Sequence, residues 1–276
     1  HLDSGVLPTK TGEAVIEKSY SKVRKDSLAF CRMLRHTLPD RSHIAIISQS
    51  SYEYIVCMTG ILVSSNVAIP IAPDSTVEDI SEVLNDADVT AVLYESAFSE
   101  KSEKLKELCP QLKYELELGN SEVFEKIYNT YSEESEFASL SDIKMDPEAC
   151  ALIIYTSGTT GDRKGVMLSS EALVSNIMYK PYSDIIVRND TLFSVLPLYH
   201  IFCFVSDYLT PLQNGNVLCL NGNMRNLFKN LLIFKPNQMR VVPQITQAML
   251  SRIRAVQAKN PELSPKEAAA LVTGGN

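Results

Sequence analysis

Two spacings of apolar residues take turns along the chain. Between residues 21 and 38, Val23, Phe30, Leu34 and Leu38 recur at helical spacing. Residues 43–47 (His-Ile-Ala-Ile-Ile) then form a short run that reads as a strand. The exchange repeats with a mostly apolar helix over 52–64 and a strand over 67–71. Ser75-Thr76-Val77-Glu78 has capping-box spacing and opens a helix to Ala87. A strand over 89–94, a charged helix over 99–108 and a strand over 114–118 follow, while residues 1–17 read as loop or a short hairpin. After residue 149 come an apolar run at 151–154, a helix over 171–182 and strands over 190–197 and 216–220. A helix over 224–234, a strand over 239–243 and a helix over 245–258 complete the series. Strands alternating with helices predict an α/β fold of parallel sheets covered by helices.

Residues 119–148 interrupt this rhythm. Ser132-Glu133-Glu134-Ser135-Glu136 is acidic and poor in core formers. It reads as a solvated connection between a first α/β subdomain, 1–118, and a second, 149–276; an acidic functional patch is the other reading. A chain of 276 residues, 45% of them hydrophobic, has ample material for a buried core. Its net charge of −7 provides no general basic surface, so no nucleic-acid partner is expected. Six scattered cysteines (31, 57, 109, 150, 203, 219) suggest reduced thiols in a cytoplasmic protein. The four histidines lack metal-ligand spacing, so any metal site is unknown. The longest apolar stretch, 55–72, is broken by Ser64-Ser65-Asn66 and Pro70, and divides into a helix and a strand rather than a membrane span. Neither a signal peptide nor an anchor is expected.

The chemistry concentrates at residues 154–166, where the four aliphatic hydroxyls of Thr156, Ser157, Thr159 and Thr160, three glycines and Lys164 lie between apolar runs. Glycines allow backbone N–H groups to turn toward an anion, and a run of such groups forms an anion-binding concavity. Hydroxyls add donors and Lys164 adds a mobile positive charge, so the composition points to polyphosphate. A plain hairpin loop of small residues is the alternative. The spacing is not that of a Walker loop, because Lys164 follows Arg163 rather than glycine, and the Rossmann Gly-x-Gly-x-x-Gly is absent.

Residues 155–166 resemble the signature Y-T-S-G-T-T-G-x-P-K-G-V of the adenylate-forming enzymes, the superfamily of acyl-CoA synthetases, luciferases and peptide-synthetase adenylation domains. Ten of the eleven fixed positions match, and the departure is Arg163 in place of proline. Leu196-Pro197-Leu198-Tyr199-His200-Ile201-Phe202 resembles the family's L-P-L-F-H-x-F-G, with Cys203 for the glycine. Residues 271–276 resemble the strand-loop x-x-S-G-G-A-P-L, with Asn276 for alanine, and residues 68–73 resemble A-x-x-V-P-L-x-P. After the signature, Ser170 and Ala172 occupy places where the family has histidine and asparagine.

The resemblance implies the N-terminal part of an acyl-CoA synthetase acting on ATP, Mg2+, CoA and a carboxylic acid, most readily a fatty acid. It assigns Thr156, Ser157, Thr159 and Thr160 to phosphate oxygens, and Gly158, Gly161 and Gly165 to close backbone approach. Lys164 falls to the charge of the leaving pyrophosphate. His200 and Tyr199 would stand at the mouth of the acyl pocket, with Gly274 and Gly275 in its wall. For His200 the plainer alternative is a helix-start residue packed among Tyr199 and Phe202. The family's later motifs, which help hold adenine, ribose and magnesium, are not found before Asn276, so the second subdomain is expected to be truncated and the chain alone inactive. Two further readings stay open: an adenylation domain that loads an amino or aryl acid onto a carrier protein, and a non-catalytic nucleotide-binding relative.

Overall fold

The structure, a computed structural model, describes residues 6–11, 14–132, 144–157, 163–178 and 187–274. The chain divides into two compact units, one of Ser21–Met178 and one of His1–Tyr20 with Tyr179–Asn276. This division differs from the one that composition suggests. The strands that follow the acidic segment complete the sheet of the first unit instead of opening a second one.

The first unit holds six strands: β3 (His43–Ile47), β4 (Val67–Ile71), β5 (Ala91–Glu95), β6 (Tyr114–Leu118), β7 (Cys150–Ser157) and β8 (Arg163–Ser169), in the order β6-β5-β3-β4-β7-β8. All neighbours are parallel except β7 and β8, which form an antiparallel hairpin. β8 is one of the two edge strands, paired with β7 on one side and with no described strand on the other.

Alternation along the buried strands sorts the core into two faces. Ala45, Ile47, Val67, Ile69, Val92, Tyr94 and Ile153 pack with Ile80, Val83 and Leu84 of α3 (Val77–Asp86) and Leu105 of α4 (Ser99–Leu108). The opposite face carries Ile44, Ile46, Ala68, Leu93 and Leu152, all at most 3% exposed. There α2 (Tyr52–Val63) lies against β3 and β4. In turn α1 (Tyr20–Thr37) packs on α2 where Gly60 lacks a side chain; a Cβ there would stand 2.8 Å from Phe30. In the order β6-β5-β3-β4 the winding reverses between β3, which leads through α2 to β4, and β5, which leads the other way through α4 to β6, so a crevice opens at the carboxyl ends of β3 and β5. Ligands of open α/β sheets bind in such crevices. Strand β7, parallel to β4, delivers the glycine-rich stretch to the same carboxyl edge.

Three readings in this unit are corrected. The connection after residue 118 contains α5 (Ser121–Tyr131), capped by Asn120 and burying Phe124 and Ile127, with Phe124 stacked 6.3 Å from Phe30 of α1. Residues 133–143, which hold most of the acidic run, lie outside the described residues. The N-cap of α3 is Thr76, whose hydroxyl accepts from the N–H of Asp79, rather than Ser75. The helix after the signature, α6 (Ser170–Ile177), starts from an N-cap at Ser169.

The second unit carries a hairpin of β1 (Val6–Thr11) and β2 (Ala14–Ser19), with β1 lying beside the strand β10 (Val217–Leu220). A three-stranded parallel sheet is ordered β10-β9-β11, from β9 (Thr191–Ser194), β10 (Val217–Leu220) and β11 (Gln238–Met239). Phe193, Val195, Cys219, Leu227, Leu231 and Ile245 form its core. A helical stretch of which the sequence reading foresaw only a possible start at His200, α7 (residues 201–214), widens to a π-helix over Phe204–Leu209. Pro211 inside it has no N–H to return to the preceding turn. Strand β11 stops early because Pro243 opens α9 (Pro243–Lys259), which follows α8 (Leu227–Phe234). The strand expected at residues 271–273 is instead the last turn of α10 (Pro265–Thr273). A full capping box of Ser264 and Glu267, with Pro265 in the first turn, nucleates that helix, and the alanines at 268–270 propagate it.

Candidate active site

The two ends of the glycine-rich signature are the stems of the β7–β8 hairpin. Its register pairs Ser157 with Arg163, Thr156 with Lys164 and Tyr155 with Gly165. Cross-strand partners share a face, so the stems sort into two groups. Thr156 and Lys164 stand together on one face, and both are exposed. Among the described residues Lys164 has no ion-pair partner. Tyr155, Gly165 and Arg163 fall on the other face, toward α3.

That second group is fastened. Arg163 forms an ion pair with Asp79, in the first turn of α3, at 2.7 Å. Tyr155 donates its hydroxyl to Asp86, in the last turn of the same helix. Burial first, and the hydrogen bond to Asp86 second, push the Tyr155 phenol well above its usual range. Gly165 gives the ring room, since a Cβ there would meet Ile153 at 3.0 Å and the Tyr155 ring at 3.1 Å. The sequence reading assigned this glycine to backbone approach and missed the tyrosine lying across it. Ser157 ends β7, while Gly158, Thr159, Thr160 and Gly161 lie outside the described residues.

The remaining candidates stand on the other unit. The turn after β9 is closed by the His200 N–H on the Pro197 carbonyl at 3.2 Å. His200 then occupies the N-cap of α7, exposed, with its ring 4.8 Å from that of Tyr199. The helix-start reading therefore holds for its position, although Phe202 is 53% exposed and makes no core around it. Behind the turn, buried Asp207 accepts from Arg240 at 2.9 Å and from Ser206 at 3.0 Å. Burial raises the Asp207 carboxyl, and the Arg240 charge opposes that rise. Gly274 ends α10 in the left-handed region at φ 72°, donating to Ala270 at 2.8 Å, and Gly275 lies outside the described residues.

Among the described residues no three His, Cys, Asp or Glu side chains group to hold a metal ion. No helix among them is long and apolar enough to cross a membrane.

The family described as AMP-binding enzyme matches residues 10–276. The chain belongs to this family. A CoA ligase of Gibberella moniliformis is 29% identical to this chain over 175 residues, covering 63% of it and 28% of the ligase. Long-chain-fatty-acid–CoA ligase 1 of Homo sapiens is 28% identical over 240 residues, covering 79% of the chain and 34% of the ligase. The chain thus spans about a third of the length of these curated relatives. ATP-bound MatB from Rhodopseudomonas palustris has the same fold, with a TM-score of 0.77 over 94% of this chain and 50% of that one, at 19% identity. The α/β architecture with mostly parallel sheets is therefore that of the AMP-binding enzymes.

Proposed function

We propose that this chain carries the polyphosphate-binding part of an ATP-dependent ligase that activates a carboxylic acid. The reaction joins the carboxylate to the α-phosphate of ATP and releases pyrophosphate; the thiol of CoA, losing its proton, then takes the acyl group from the adenylate and AMP departs. The observation that supports this best is the pairing of exposed Thr156 and Lys164 on one face of a hairpin at the carboxyl edge of the sheet. Charge builds on the departing pyrophosphate, so donors fixed there stabilise the transition state. Lys164 supplies the charge. Thr156, Ser157, Thr159 and Thr160 supply hydroxyls, and Gly158 and Gly161 allow the backbone to come close.

His200 and Tyr199, with Gly274 and Gly275, are proposed to border the acyl pocket. A fatty acid is the substrate class favoured by the likeness to long-chain-fatty-acid–CoA ligase 1. Magnesium, which the family uses, would be held chiefly by the phosphate oxygens of the nucleotide and by water rather than by a cage of protein ligands. Six free cysteines suit a reducing compartment such as the cytoplasm.

The test is carboxylate-dependent exchange of label between pyrophosphate and ATP, measured on the protein that contains this chain. Lys164→Ala is expected to slow exchange on the order of 10²-fold, as loss of a transition-state donor does. Its thermal unfolding should not change, because the side chain is exposed. Equal exchange rates would remove Lys164 from the mechanism. A panel of fatty, aryl and amino acids identifies the carboxylate.

A further inference from the structure

The two ties between the hairpin and α3 leave from one face and reach the two ends of one helix. Tyr155, on the strand entering the glycine-rich turn, binds Asp86. Arg163, the first residue of the strand leaving it, binds Asp79. In the family pattern the position of Arg163 is a proline, whose ring fixes φ. Arginine leaves the backbone free, so whatever orients the exit of the turn must come from a side chain.

We propose that Arg163 is a positioning residue: its ion pair with Asp79 clamps the exit of the phosphate loop to α3 and thereby holds Lys164 beside Thr156 on the opposite face. The inference rests on the reading of this loop as a polyphosphate site. Strand alternation carries the first part of it, because consecutive residues of β8 point to opposite faces. Fixing Arg163 toward α3 therefore aims Lys164 away from it. The second part is the rigidity of the anchor. Asp79 donates its N–H to the Thr76 hydroxyl at 3.1 Å, and its neighbours Ile80, Val83 and Leu84 are buried in the core. Glu78 pairs with Lys104, tying the same turn to α4. The Thr76 hydroxyl and the Arg163 guanidinium hold the Asp79 carboxyl below the usual carboxylate range, which keeps it charged at neutral pH. The third part is the tie at Tyr155, which refers both stems of the loop to one helix.

The pair is partly exposed, with side chains 34% and 39% accessible, so a modest and salt-sensitive effect is expected. Amide hydrogen exchange at residues 164–167 of this chain is to be followed at low and high salt in four forms: wild type, Asp79→Asn, Arg163→Gln and the double variant. Wild-type exchange should quicken about two- to fivefold at high salt. Each single variant should show that faster exchange already at low salt, and the double variant should be no faster than either single. In pyrophosphate–ATP exchange, each single variant should raise the KM for ATP by a similar factor, again without addition in the double. If Arg163 instead binds phosphate itself, removing Asp79 would free it. Asp79→Asn would then lower the KM while Arg163→Gln raises it, and the clamp would be overturned. Salt-insensitive wild-type amides would overturn it too. Should the wild type show no carboxylate-dependent exchange, the functional reading fails, and the amides still decide the clamp.

Discussion

Gly165 shows how a glycine within the signature can serve packing. It sits opposite Tyr155, and its φ lies outside the left-handed region, so any cost of a side chain there is steric. Gly165→Ala should push the Tyr155 ring away from Asp86 and destabilise the first unit by about 1–3 kcal/mol, the usual cost of overpacking. Urea unfolding of the variant measures this. The penalty should shrink when Tyr155 is already Leu, and an equal penalty in both backgrounds would dissociate the glycine from the ring. At this scale the sequence named Lys164, Thr156 and Gly165 through their types and order. It did not reveal that Thr156 and Lys164 share a face, since that depends on hairpin register across the turn. The partner of Arg163 was also hidden, because Asp79 is brought to it only by the pairing of β7 with β4.

Elements were legible where apolar spacing and turn residues agreed, as in α1, β3, α2 and β4. They were missed where one signal masked another. The charged surroundings of α5 drew attention from Phe124, Ile127 and Tyr128, whose spacing is helical. The glycines after Thr273 suggested a strand-loop, yet the capping box of α10 was already present in Ser264-Pro265-Lys266-Glu267. That box carries a pH dependence. The Glu267 carboxylate accepts from the Ser264 hydroxyl at 2.7 Å and from the Ser264 N–H at 2.8 Å, and both bonds lower its pKa. A carboxyl lowered in the folded state stabilises fully above its unfolded value, about 4.3. That contribution is lost as pH falls through the folded value. Glu267→Gln should therefore be less stable than wild type at neutral pH, and the two urea midpoints should converge as the solution is acidified below the carboxylate range. Parallel curves at all pH values would show that the bonds do not depend on the charge.

On the scale of the whole molecule, each unit owns a sheet and a core, but only one is continuous in sequence. Residues 21–178 contain all six strands of the larger sheet together with the helices α2 to α6. Expressed alone, this piece should fold and unfold in a single cooperative transition, seen as coincident far-UV dichroism and fluorescence melts. A non-cooperative melt would mean that the second unit is needed to complete its core. The edge strand β8 has a consequence of another kind. Its outer backbone groups meet no described strand, and Val166 and Met167 beside them are 47% and 71% exposed. Charge guards only its beginning, at Arg163 and Lys164; residues 165–169 carry none. Such an edge is a template to which a second copy can add. Concentrated protein should therefore convert to fibrils after a lag that preformed seeds abolish, and Met167→Lys, a gatekeeper placed on the template, should lengthen that lag.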